Sequence, residues 1–487
     1  MLAVGLPLLA SLLIIASWRW PDLREAWTLV ASVSTFGLIF SMLPGVLGGS
    51  CPSLTLFSIA EGVSLAFRAD TAGLIFALSS SFLWIITSIF SIGYMRGLQQ
   101  PKQTRYYACF ALAIASTMGI ALSANLLTFL IFFEGLTIAT YPLIIHRENE
   151  EAVSAGRKYL AYLLTGGLSL ILAIGITLQL TGVLDFKAGG FLSNDIDRAW
   201  LLALFALFTL GFGMKSAIIP LHSWLPSAMV APTPVSALLH AVAVVKAGVF
   251  GFVRLIGYVF GPQIFQDIGA GAILAILASI TIILSSLLAL QQDNLKRRLA
   301  YSTIGHLSYI VLGVSLLSPV AWTGGLLHIV NHAMLKITLF FCAGAIYVHS
   351  HLDKVSEMDG IGRRMPLTML AFTLGCIGLI GIPPLNGFIS KWMLAQGAVS
   401  TSYALYMGVL LLSGLLNAAY FVPIIRRSFF VPAGENAVDG EAPLVMVIPL
   451  LTTAALGLVL GLWPNAIFHF WELAENTVNA VMGGALP

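Results

Sequence analysis

Long apolar runs recur from one end of the chain to the other, and they show no alternation of apolar and polar residues. A helix needs roughly 20 apolar residues to cross the hydrocarbon of a membrane, whereas a barrel strand needs about ten residues of alternating polarity. The sequence therefore predicts membrane-spanning helices. The composition agrees, because 58% of the 487 residues are hydrophobic, 9% are charged and the mean hydropathy is +0.94.

The apolar runs predict an all-α integral membrane protein with fourteen transmembrane helices. The predicted spans are 2–17, 27–48, 71–95, 106–122, 125–145, 158–181, 200–219, 236–260, 270–290, 300–317, 322–347, 366–394, 404–425 and 443–468. The first run has no charged segment before it and no cleavage site of small residues, so we expect a retained helix and not a signal peptide. The four cysteines lack CxxC spacing, which argues against zinc, iron–sulfur and disulfide sites.

Basic residues are distributed unevenly between the connections. The odd-numbered connections carry sixteen of them: Arg19, Arg24, Arg96, Lys102, Arg105, Arg147, Arg157, Lys158, Lys296, Arg297, Arg298, Lys354, Arg363, Arg364, Arg426 and Arg427. The even-numbered connections carry four: Arg68, Lys187, Arg198 and Arg254. Because cytoplasmic connections are enriched in Lys and Arg, this asymmetry predicts that the odd connections lie in the cytoplasm and both termini outside it.

The remaining four of the 24 basic residues fall inside predicted spans, and they are Lys215, Lys246, Lys336 and Lys391. A cation at mid-membrane is costly, and none of the four is an arginine. Lysine, unlike arginine, can lose its proton when burial desolvates it. We interpret the four as groups that change charge. The alternative is that individual lysines extend to the membrane interface or neutralise a fixed acid.

Glu134 is an exception among the acidic residues, because it lies well inside the span written ANLLTFLIFFEGLTIATYPL. An unpaired carboxylate near the middle of the bilayer would take up a proton, so Glu134 is expected to have a cation as partner. A buried Glu–Lys pair titrates as a unit. That coupling is the physical requirement for a switchable proton site.

Two predicted spans contain prolines beside one of the lysines, in IIPLHSWLPSAMVAPTP after Lys215 and in GLIGIPPLNGFISKW before Lys391. The prolines that define the breaks are Pro220, Pro226, Pro383 and Pro384. Interrupted helices in corresponding halves of a transporter indicate an ion path and inverted repeats. The predicted division is 1–100 (three helices), 101–267 and 268–430 (five-helix repeats) and 431–487 (last helix and tail). The alternative is that each proline merely kinks its helix.

Three basic residues on the eleventh span, LLHIVNHAMLKITLFF, occur at i, i+4 and i+8 and therefore share one helix face. With neighbours on the eighth and tenth spans they form a predicted relay of His240, Lys246, His306, His328, His332 and Lys336. Histidine passes protons readily near neutral pH. For His306 and for His222 the alternative is a hydrogen bond between packed helices. No metal site is expected, since no acid or cysteine accompanies the histidines at ligand spacing.

Five segments resemble the signature segments of the antiporter-like membrane subunits of respiratory complex I. They are, in order, FFEGLTIATYPL, GMKSAIIPLHSWLPSAMVAPTPVSALLHAVAVVKAG, DNLKRRLAYSTIGHLSYI, HIVNHAMLKITLFFCAGAI and GIPPLNGFISKW. The same family includes the multisubunit Mrp-type sodium/proton antiporters and the membrane-bound hydrogenases. The resemblance covers residues 66–430 and is specific, because the prolines, lysines and glutamate recur together.

The resemblance implies fourteen helices with inverted five-helix repeats, and an ion path along a hydrophilic axis in mid-membrane. It implies these roles: Glu134 and Lys215 as a pair, Lys246 as the central lysine, Lys391 as the terminal lysine, and His328, His332 and Lys336 as connecting residues. Lysine at 391 and a chain that ends soon after the fourteenth span are more similar to the D-type subunit of the Mrp antiporters, or to the corresponding hydrogenase subunit. The complex I subunit at the inner end of the row shares both features, so the subtype stays open.

The predicted function is a proton channel operated by charge coupling, within a multisubunit sodium/proton antiporter of a bacterial or archaeal cytoplasmic membrane. Partners would be other membrane subunits, and the cargo protons and a monovalent cation. The alternatives are the proton pump of a complex I-like NADH dehydrogenase or membrane-bound hydrogenase, a passive structural subunit, and a self-sufficient transporter. No Rossmann fingerprint, P-loop or nucleophile triad is present, so no catalytic residue, cofactor or nucleic-acid partner is expected.

Overall fold

A computed structural model describes residues 1–60, 62–400, 404–432 and 439–483, with the backbone alone for residues 239, 240 and 404. Within these ranges the regular structure is helical except for one antiparallel hairpin. The amino-terminal elements are α1 (Leu2–Ala16), α2 (Pro21–Leu47), β1 (Ser53–Ala60), β2 (Val63–Arg68) and α3 (Thr71–Gly97). Ser53 of β1 lies opposite Arg68 of β2. The three helices and the hairpin precede the first repeat.

Five spans then form the first repeat, and its fourth span is broken. The first three spans are α4 (Gln103–Ala121), α5 (Leu126–Ile144) and α6 (Glu150–Thr181). The broken span consists of α7 (Arg198–Ser216), a connection, α8 (Trp224–Ser227) and a 3₁₀ turn (Ala228–Val230). The fifth span changes helix type, from α9 (Thr233–Ala237) to a π-helix (Leu238–Val242), α10 (Val244–Arg254) and a second π-helix (Leu255–Phe260).

A short helix, α11 (Pro262–Asp267), leads to a second set of five spans with the same plan. Its first three spans are α12 (Ala270–Leu290), α13 (Leu295–Ser315) and α14 (Pro319–Ser350). After a 3₁₀ turn (Val355–Glu357) and α15 (Ile361–Arg364), the broken span consists of α16 (Pro366–Ile380) and α17 (Asn386–Ser400). The fifth span is α18 (Ala404–Phe430). Finally α19 (Leu444–Leu462) crosses the membrane and α20 (Phe470–Met482) follows it.

Nine helices in the described part of the chain are long and apolar enough to cross a membrane, and α1 and α16 are shorter apolar helices. The 19-residue α4, the 21-residue α13 and the segment 233–260 supply the other three crossings. The prediction of fourteen spans with two broken ones is thus confirmed. Because a repeat of five spans is odd in number, the second repeat starts on the opposite face, which makes the two repeats inverted.

The centre of the bundle is α14, whose residues from Ala321 to Ile346 are all buried. This helix packs against α3, α13, α16, α17, α19 and α20. Large apolar side chains on the peripheral helices instead point outward; Leu168 of α6 is 66% exposed and Leu415 of α18 is 70% exposed. An outer shell of apolar side chains suits lipid, so the polar residues of α14 are enclosed by protein on every side.

Two elements differ from the sequence prediction. The segment after the second span forms the hairpin of β1 and β2, although only a connection was expected there. The predicted carboxy-terminal tail contains α20, whose sequence FWELAENTVNAVM buries Leu473, Val478 and Val481 and exposes Glu475 and Asn479. Both elements are too short to span a membrane, so a search for long apolar runs does not find them.

Arg254 was expected in an even-numbered connection, but the structure buries it inside the eighth span. It lies in α10 and is 1% exposed, and its guanidinium forms two hydrogen bonds with Asp70, at 2.5 and 2.9 Å. The carboxylate of Asp70 also caps α3, because it accepts a hydrogen bond from the Gly73 amide at 2.8 Å. Pairing offsets part of the cost of burying the charge, so Arg254 has a structural explanation that the buried lysines lack.

The substitution Gly387→Ala tests how tightly the two halves of the second broken span pack. A Cβ at Gly387 of α17 would lie 1.9 Å from the carbonyl oxygen of Gly378 in α16, so the helices would have to separate. Overpacking of this kind costs about 1–3 kcal/mol, and we expect a lower melting temperature of the detergent-solubilised protein, followed by tryptophan fluorescence. Gly175→Ala in α6 is the control, because nothing lies within 4 Å of the added atom. Equal melting temperatures would contradict the packing argument.

Candidate functional site

The buried basic residues form a row through the middle of the bundle, and Lys215 lies at one end of it. Lys215 occupies the last turn of α7 and is completely buried. Its ammonium group donates a hydrogen bond to the carbonyl oxygen of Phe133 in α5 and lies 3.5 Å from the centre of the Phe133 ring. A carbonyl oxygen and a ring face both attract a cation, so these contacts compensate part of the desolvation of Lys215.

Glu134 follows Phe133 in α5, but it does not form the expected ion pair with Lys215. The ion pairs found among the described residues do not include these two side chains within 4.0 Å. Both carboxyl oxygens of Glu134 are buried and lack a hydrogen-bond partner in the described part of the chain. Lys215 is instead satisfied by the neighbouring backbone, a competing acceptor that the sequence pattern does not reveal. The two groups interact through space, without contact.

Gly167 of α6 provides the space that the Glu134 carboxyl group occupies. A Cβ at this position would lie 2.6 Å from the Glu134 Cδ atom. The close approach of α5 and α6 at this point therefore requires the absence of a side chain. Gly167 was not recognised from the sequence, because a glycine in an apolar span carries no signal of what faces it.

Lys246 lies at the centre of the row, immediately after the first π-helix of the eighth span. It is 1% exposed, and its Nζ atom lies 3.0 Å from Nδ1 of His332 in α14. Within the described residues, His332 Nε2 has no hydrogen-bond partner. This contact joins the first repeat to the second. His240 belongs to the same π-helix, but its side chain lies outside the described residues.

Three histidine rings gather beside this contact. His306 of α13 stacks on His328 with ring centres 5.4 Å apart, and its Nδ1 lies 3.2 Å from Nε2 of His328. The ring of His332 is 5.5 Å from that of His306. His328 Nδ1 in turn lies 2.8 Å from the hydroxyl of Ser390, in the second broken span. All three histidines are buried, as the i and i+4 spacing on α14 predicts for two of them.

Lys336, one turn further along α14, joins the histidines through a chain of polar side chains. Its ammonium donates to Ser302 at 2.8 Å, and the Tyr420 hydroxyl lies 2.9 Å from the Ser302 oxygen. The chain continues from Tyr420 to Asn417 at 2.5 Å and from Asn417 to His306 at 3.4 Å. Tyr420 has one hydroxyl proton and lies within donating distance of both the Ser302 oxygen and the Asn417 side-chain oxygen, so it can donate to only one of them at a time. An amide does not readily pass on a proton, so Asn417 links the groups by orientation and charge.

Lys391 ends the row at the second broken span. Its Nζ atom donates to the carbonyl oxygens of Leu379 and Ile380, at 2.6 and 3.1 Å, and lies 4.9 Å from the ring centre of Tyr309. These carbonyls are the last of α16, where the helix dipole is negative. The helix stops there because Gly381 takes a left-handed conformation, φ +95°. Lys391 is thus a charged cap on a helix that ends inside the membrane.

The four prolines lie where the helices are interrupted, as predicted. Pro220 lies in the connection after α7 and Pro226 within α8, whereas Pro383 and Pro384 separate α16 from α17. His222, in the connection after α7, is not joined to the row. Its ring lies 6.2 Å from that of Tyr301, and its Nδ1 has no partner among the described residues.

Sequence reasoning missed the polar residues that connect the basic ones. They are Ser302, Ser390, Asn417 and Tyr420. Asn417 offered a signal, because an amide inside the apolar run LLLSGLLNAAYF is costly unless it has partners. Tyr420, three residues later on the same helix face, could then have been grouped with it. The serines offered none, since serine is common in transmembrane helices.

Reaction with a hydrophobic carbodiimide tests the surroundings of Glu134. Such reagents attack protonated carboxyl groups, and an unpaired carboxyl in apolar surroundings favours its neutral form. We expect modification of Glu134, read by mass spectrometry of the digested protein, and loss of that adduct in Glu134→Gln.

Glu25 is the matched control in that experiment, because its carboxyl group is 4% exposed but is held by Arg96 at 2.5 and 3.1 Å. It is expected to stay unmodified. No modification at Glu134 would show that it has a cation partner after all. Equal modification of both carboxyl groups would show that pairing with a cation does not protect a carboxyl group, and would contradict the argument.

Comparisons with known proteins relate the chain to subunits of membrane complexes. Residues 123–417 match the family model described as NADH:quinone oxidoreductase/Mrp antiporter, TM. NADH-quinone oxidoreductase subunit N of Desulforudis audaxviator (strain MP104C) is 31% identical over 88% of this chain and 86% of its own length. Hydrogenase-4 component B of Escherichia coli (strain K12) is 30% identical over 88% of this chain and 67% of its own length.

The fold is also similar to a solved structure. A chain in the structure of the Mrp complex from Dietzia sp. DQ12-45-1b superposes with a TM-score of 0.83 and 20% sequence identity, covering 99% of this chain and 98% of that chain. At this identity the likeness concerns the fold. It extends over both repeats and the flanking helices, and therefore over every element that carries a member of the row.

Proposed function

Because the chain belongs to the NADH:quinone oxidoreductase/Mrp antiporter family of transmembrane subunits, we propose that it moves protons through the membrane as one subunit of a multisubunit sodium/proton antiporter. The other subunits of that complex would be its partners, and protons and a monovalent cation its cargo. The path would follow the row of residues described above, which consists of Glu134, Lys215, Lys246, His332, His306, His328, Lys336 and Lys391. The membrane would be a bacterial or archaeal cytoplasmic membrane, with both termini outside the cytoplasm.

One observation carries the proposal: a row of lysines whose contacts are neutral groups, with Lys215, Lys246 and Lys336 buried and Lys391 partly exposed at the end of the row. Lys246 meets a histidine, Lys336 a serine hydroxyl, and Lys391 two carbonyl oxygens. A purely structural lysine in a membrane is expected to have a carboxylate partner, as Arg254 has in Asp70. Cations held only by neutral acceptors can give up a proton without leaving an unpaired negative charge behind.

Charge coupling between successive members of the row is the proposed way in which the signal passes along it. Two unit charges about 10 Å apart repel by about 1.7 kcal/mol at an effective dielectric constant of about 20. A charge that crosses the membrane potential changes in energy by about 2.3 kcal/mol per 100 mV, which is similar in size. A proton that arrives at Lys215 therefore raises the energy of a proton on Lys246, and the same effect passes through the histidines toward Lys391.

Glu134 gives the row its single acidic group, at the Lys215 end. In the present arrangement the carboxyl group and the ammonium are separate, and Lys215 is bound to the Phe133 carbonyl oxygen. Movement of Lys215 from that carbonyl toward Glu134 would form the pair that the family resemblance implies. The two positions of Lys215 would then differ in proton affinity, which is what gating of the row requires.

A redox-driven proton pump is the second candidate. It is favoured by the relatedness to an NADH-quinone oxidoreductase subunit and to a hydrogenase component along most of the chain. The same row of residues could carry protons in an antiporter or in a redox-driven pump. The likeness of fold does not separate the two candidates, because at 20% identity it concerns the fold alone. What supports the antiporter is the lysine at position 391, which the resemblance associates with the D-type subunit of the Mrp antiporters.

Gentle extraction of the chain from its native membrane, followed by mass spectrometry of the co-purifying proteins, separates the two candidates. Hydrophobic subunits without flavin or iron–sulfur proteins are the result expected for the antiporter. Co-purification of hydrogenase-like or NADH-oxidising subunits would replace it with the redox pump.

Substitutions in the row test proton movement directly. Glu134→Gln, Lys215→Ala and Lys391→Ala are each expected to lower cation-dependent proton flux at least tenfold. The flux is measured from the fluorescence of a pH-sensitive dye in inverted membrane vesicles. Lys354→Ala is the control, because Lys354 is an exposed residue in an ion pair with Glu357. Normal flux in all three variants, at normal protein levels, would rule the proposal out.

Arginine substitutions distinguish a moving proton from a fixed charge. Lys391→Arg keeps the positive charge beside the Leu379 carbonyl oxygen, but arginine does not release its proton in a protein. If Lys391 must change charge, this variant is as inactive as Lys391→Ala while its melting temperature stays close to that of the native protein. Activity retained in Lys391→Arg would mean that the lysine acts only as a permanent cation.

A further inference from the structure

A cavity that none of the members of the buried row lines lies on the face that carries the even-numbered connections. Its volume is about 540 Å³. Residues from the end of α2, the start of α3, the connection between α6 and α7, and α20 surround it. The elements that meet here are far apart in sequence, and a hydrogen bond of 2.8 Å between Thr477 of α20 and Thr71 of α3 holds two of them together.

The Asp70–Arg254 pair borders the cavity without contributing net charge to it. Asp70 lines the cavity, and its carboxylate is neutralised by the two hydrogen bonds from Arg254. Arg254 is covered by the rings of Phe186, Phe250 and Tyr258, whose centres lie 4.6–5.1 Å from its guanidinium carbon. It is therefore committed to these contacts and is not available to a ligand.

Two other cations line the cavity without a carboxylate partner. Arg68, at the end of β2, donates a hydrogen bond to the carbonyl oxygen of Phe186, and Lys187 follows Phe186 in the chain. Neither cation takes part in an ion pair within the described residues. Since Asp70 is neutralised, the lining has a net charge of two positive units. The side-chain amides of Asn476 and Asn479 add uncharged hydrogen-bond donors.

The rest of the lining is apolar, and the cavity lies at the depth of the membrane interface. Val46, Leu47 and Ala480 contribute apolar surface. On the same face, Trp463 directly follows α19 and is 64% exposed, and Trp200 near the start of α7 is 48% exposed. Exposed tryptophans mark the level of the lipid headgroups. Phosphate groups of a phospholipid are found at that level.

We propose that this cavity binds the phosphate group of an anionic phospholipid, with Arg68 and Lys187 as the cationic ligands and the apolar wall of α2 and α20 against the acyl chains. Unpaired cations between transmembrane elements are a recurring way to hold phospholipid headgroups. Arginine matches phosphate well, because its planar guanidinium presents two parallel donors. The bound lipid would join the amphipathic helix α20 to the hairpin and to α3.

Native mass spectrometry of the full chain in its complex tests the proposal. The complex is stripped of lipid in detergent and titrated with cardiolipin, phosphatidylglycerol, phosphatidylcholine or inorganic phosphate. We expect the anionic lipids to bind at least tenfold more tightly to the native protein than to the double variant Arg68→Gln/Lys187→Gln. Arg198→Gln is the matched control, an exposed cation on the same face that does not line the cavity.

Cys51 supplies a second readout that needs no substitution. It is exposed and lines the cavity, whereas Cys109 is partly buried in α4 and the other two cysteines are buried. Anionic lipid is expected to slow the alkylation of Cys51 by a maleimide about fivefold and to leave Cys109 unchanged.

The outcomes separate the possible sources of the phosphate. If inorganic phosphate protects Cys51 as completely as lipid does, the site binds the free ion, and the proposal of a bound phospholipid is overturned. Equal lipid binding by the native protein and the double variant, or no protection of Cys51 by any anion, would overturn the site itself. None of these results depends on proton flux, so the proposed transport function stands or falls separately.

Discussion

The cost of holding an ammonium group inside a membrane governs the architecture of this protein. Lys215, Lys246 and Lys336 are almost completely buried, and each is stabilised by a neutral acceptor: a carbonyl oxygen, a histidine nitrogen and a hydroxyl. Such acceptors must come from several helices at once. The enclosed position of α14, the broken spans and the glycines at the closest helix contacts all serve to bring those acceptors to the middle of the bundle.

Much of this arrangement could be predicted from the sequence. Burying a polar side chain in a membrane costs free energy, so the few polar residues inside apolar runs indicate a site. The four lysines, the histidines of α14 and both broken helices were recognised in that way. The sequence does not show which of several competing hydrogen-bond or ion-pair partners a buried charged side chain takes. Lys215 binds a backbone carbonyl instead of Glu134, and Arg254 is buried because a distant carboxylate, Asp70, meets it. The linking serines and Asn417 matter only through contacts between helices. The domain boundaries and the roles of the site residues stay predictions.

The membership of this chain in a family that includes both redox enzymes and ion antiporters has a simple physical basis. In the proposed mechanism the row of basic residues would respond to charge at one end, whatever places the charge there. Reduction of a quinone, capture of a cation or protonation of a neighbouring subunit would each change the local potential. The relatives are therefore expected to differ most at the surfaces that receive such a signal, and least along the buried row.

If Lys391 carries a transported proton, as proposed, that proton also holds the backbone in place. The ammonium group caps the carbonyl oxygens of Leu379 and Ile380, at the point where α16 stops in mid-membrane. A charged donor forms a considerably stronger hydrogen bond than a neutral amine does. The end of α16 is thus firmly fixed when the proton is present and loosened when it departs. Under the proposed function, proton occupancy at Lys391 would therefore decide how firmly the end of α16 is held, and the break would report that occupancy to any subunit packed against it.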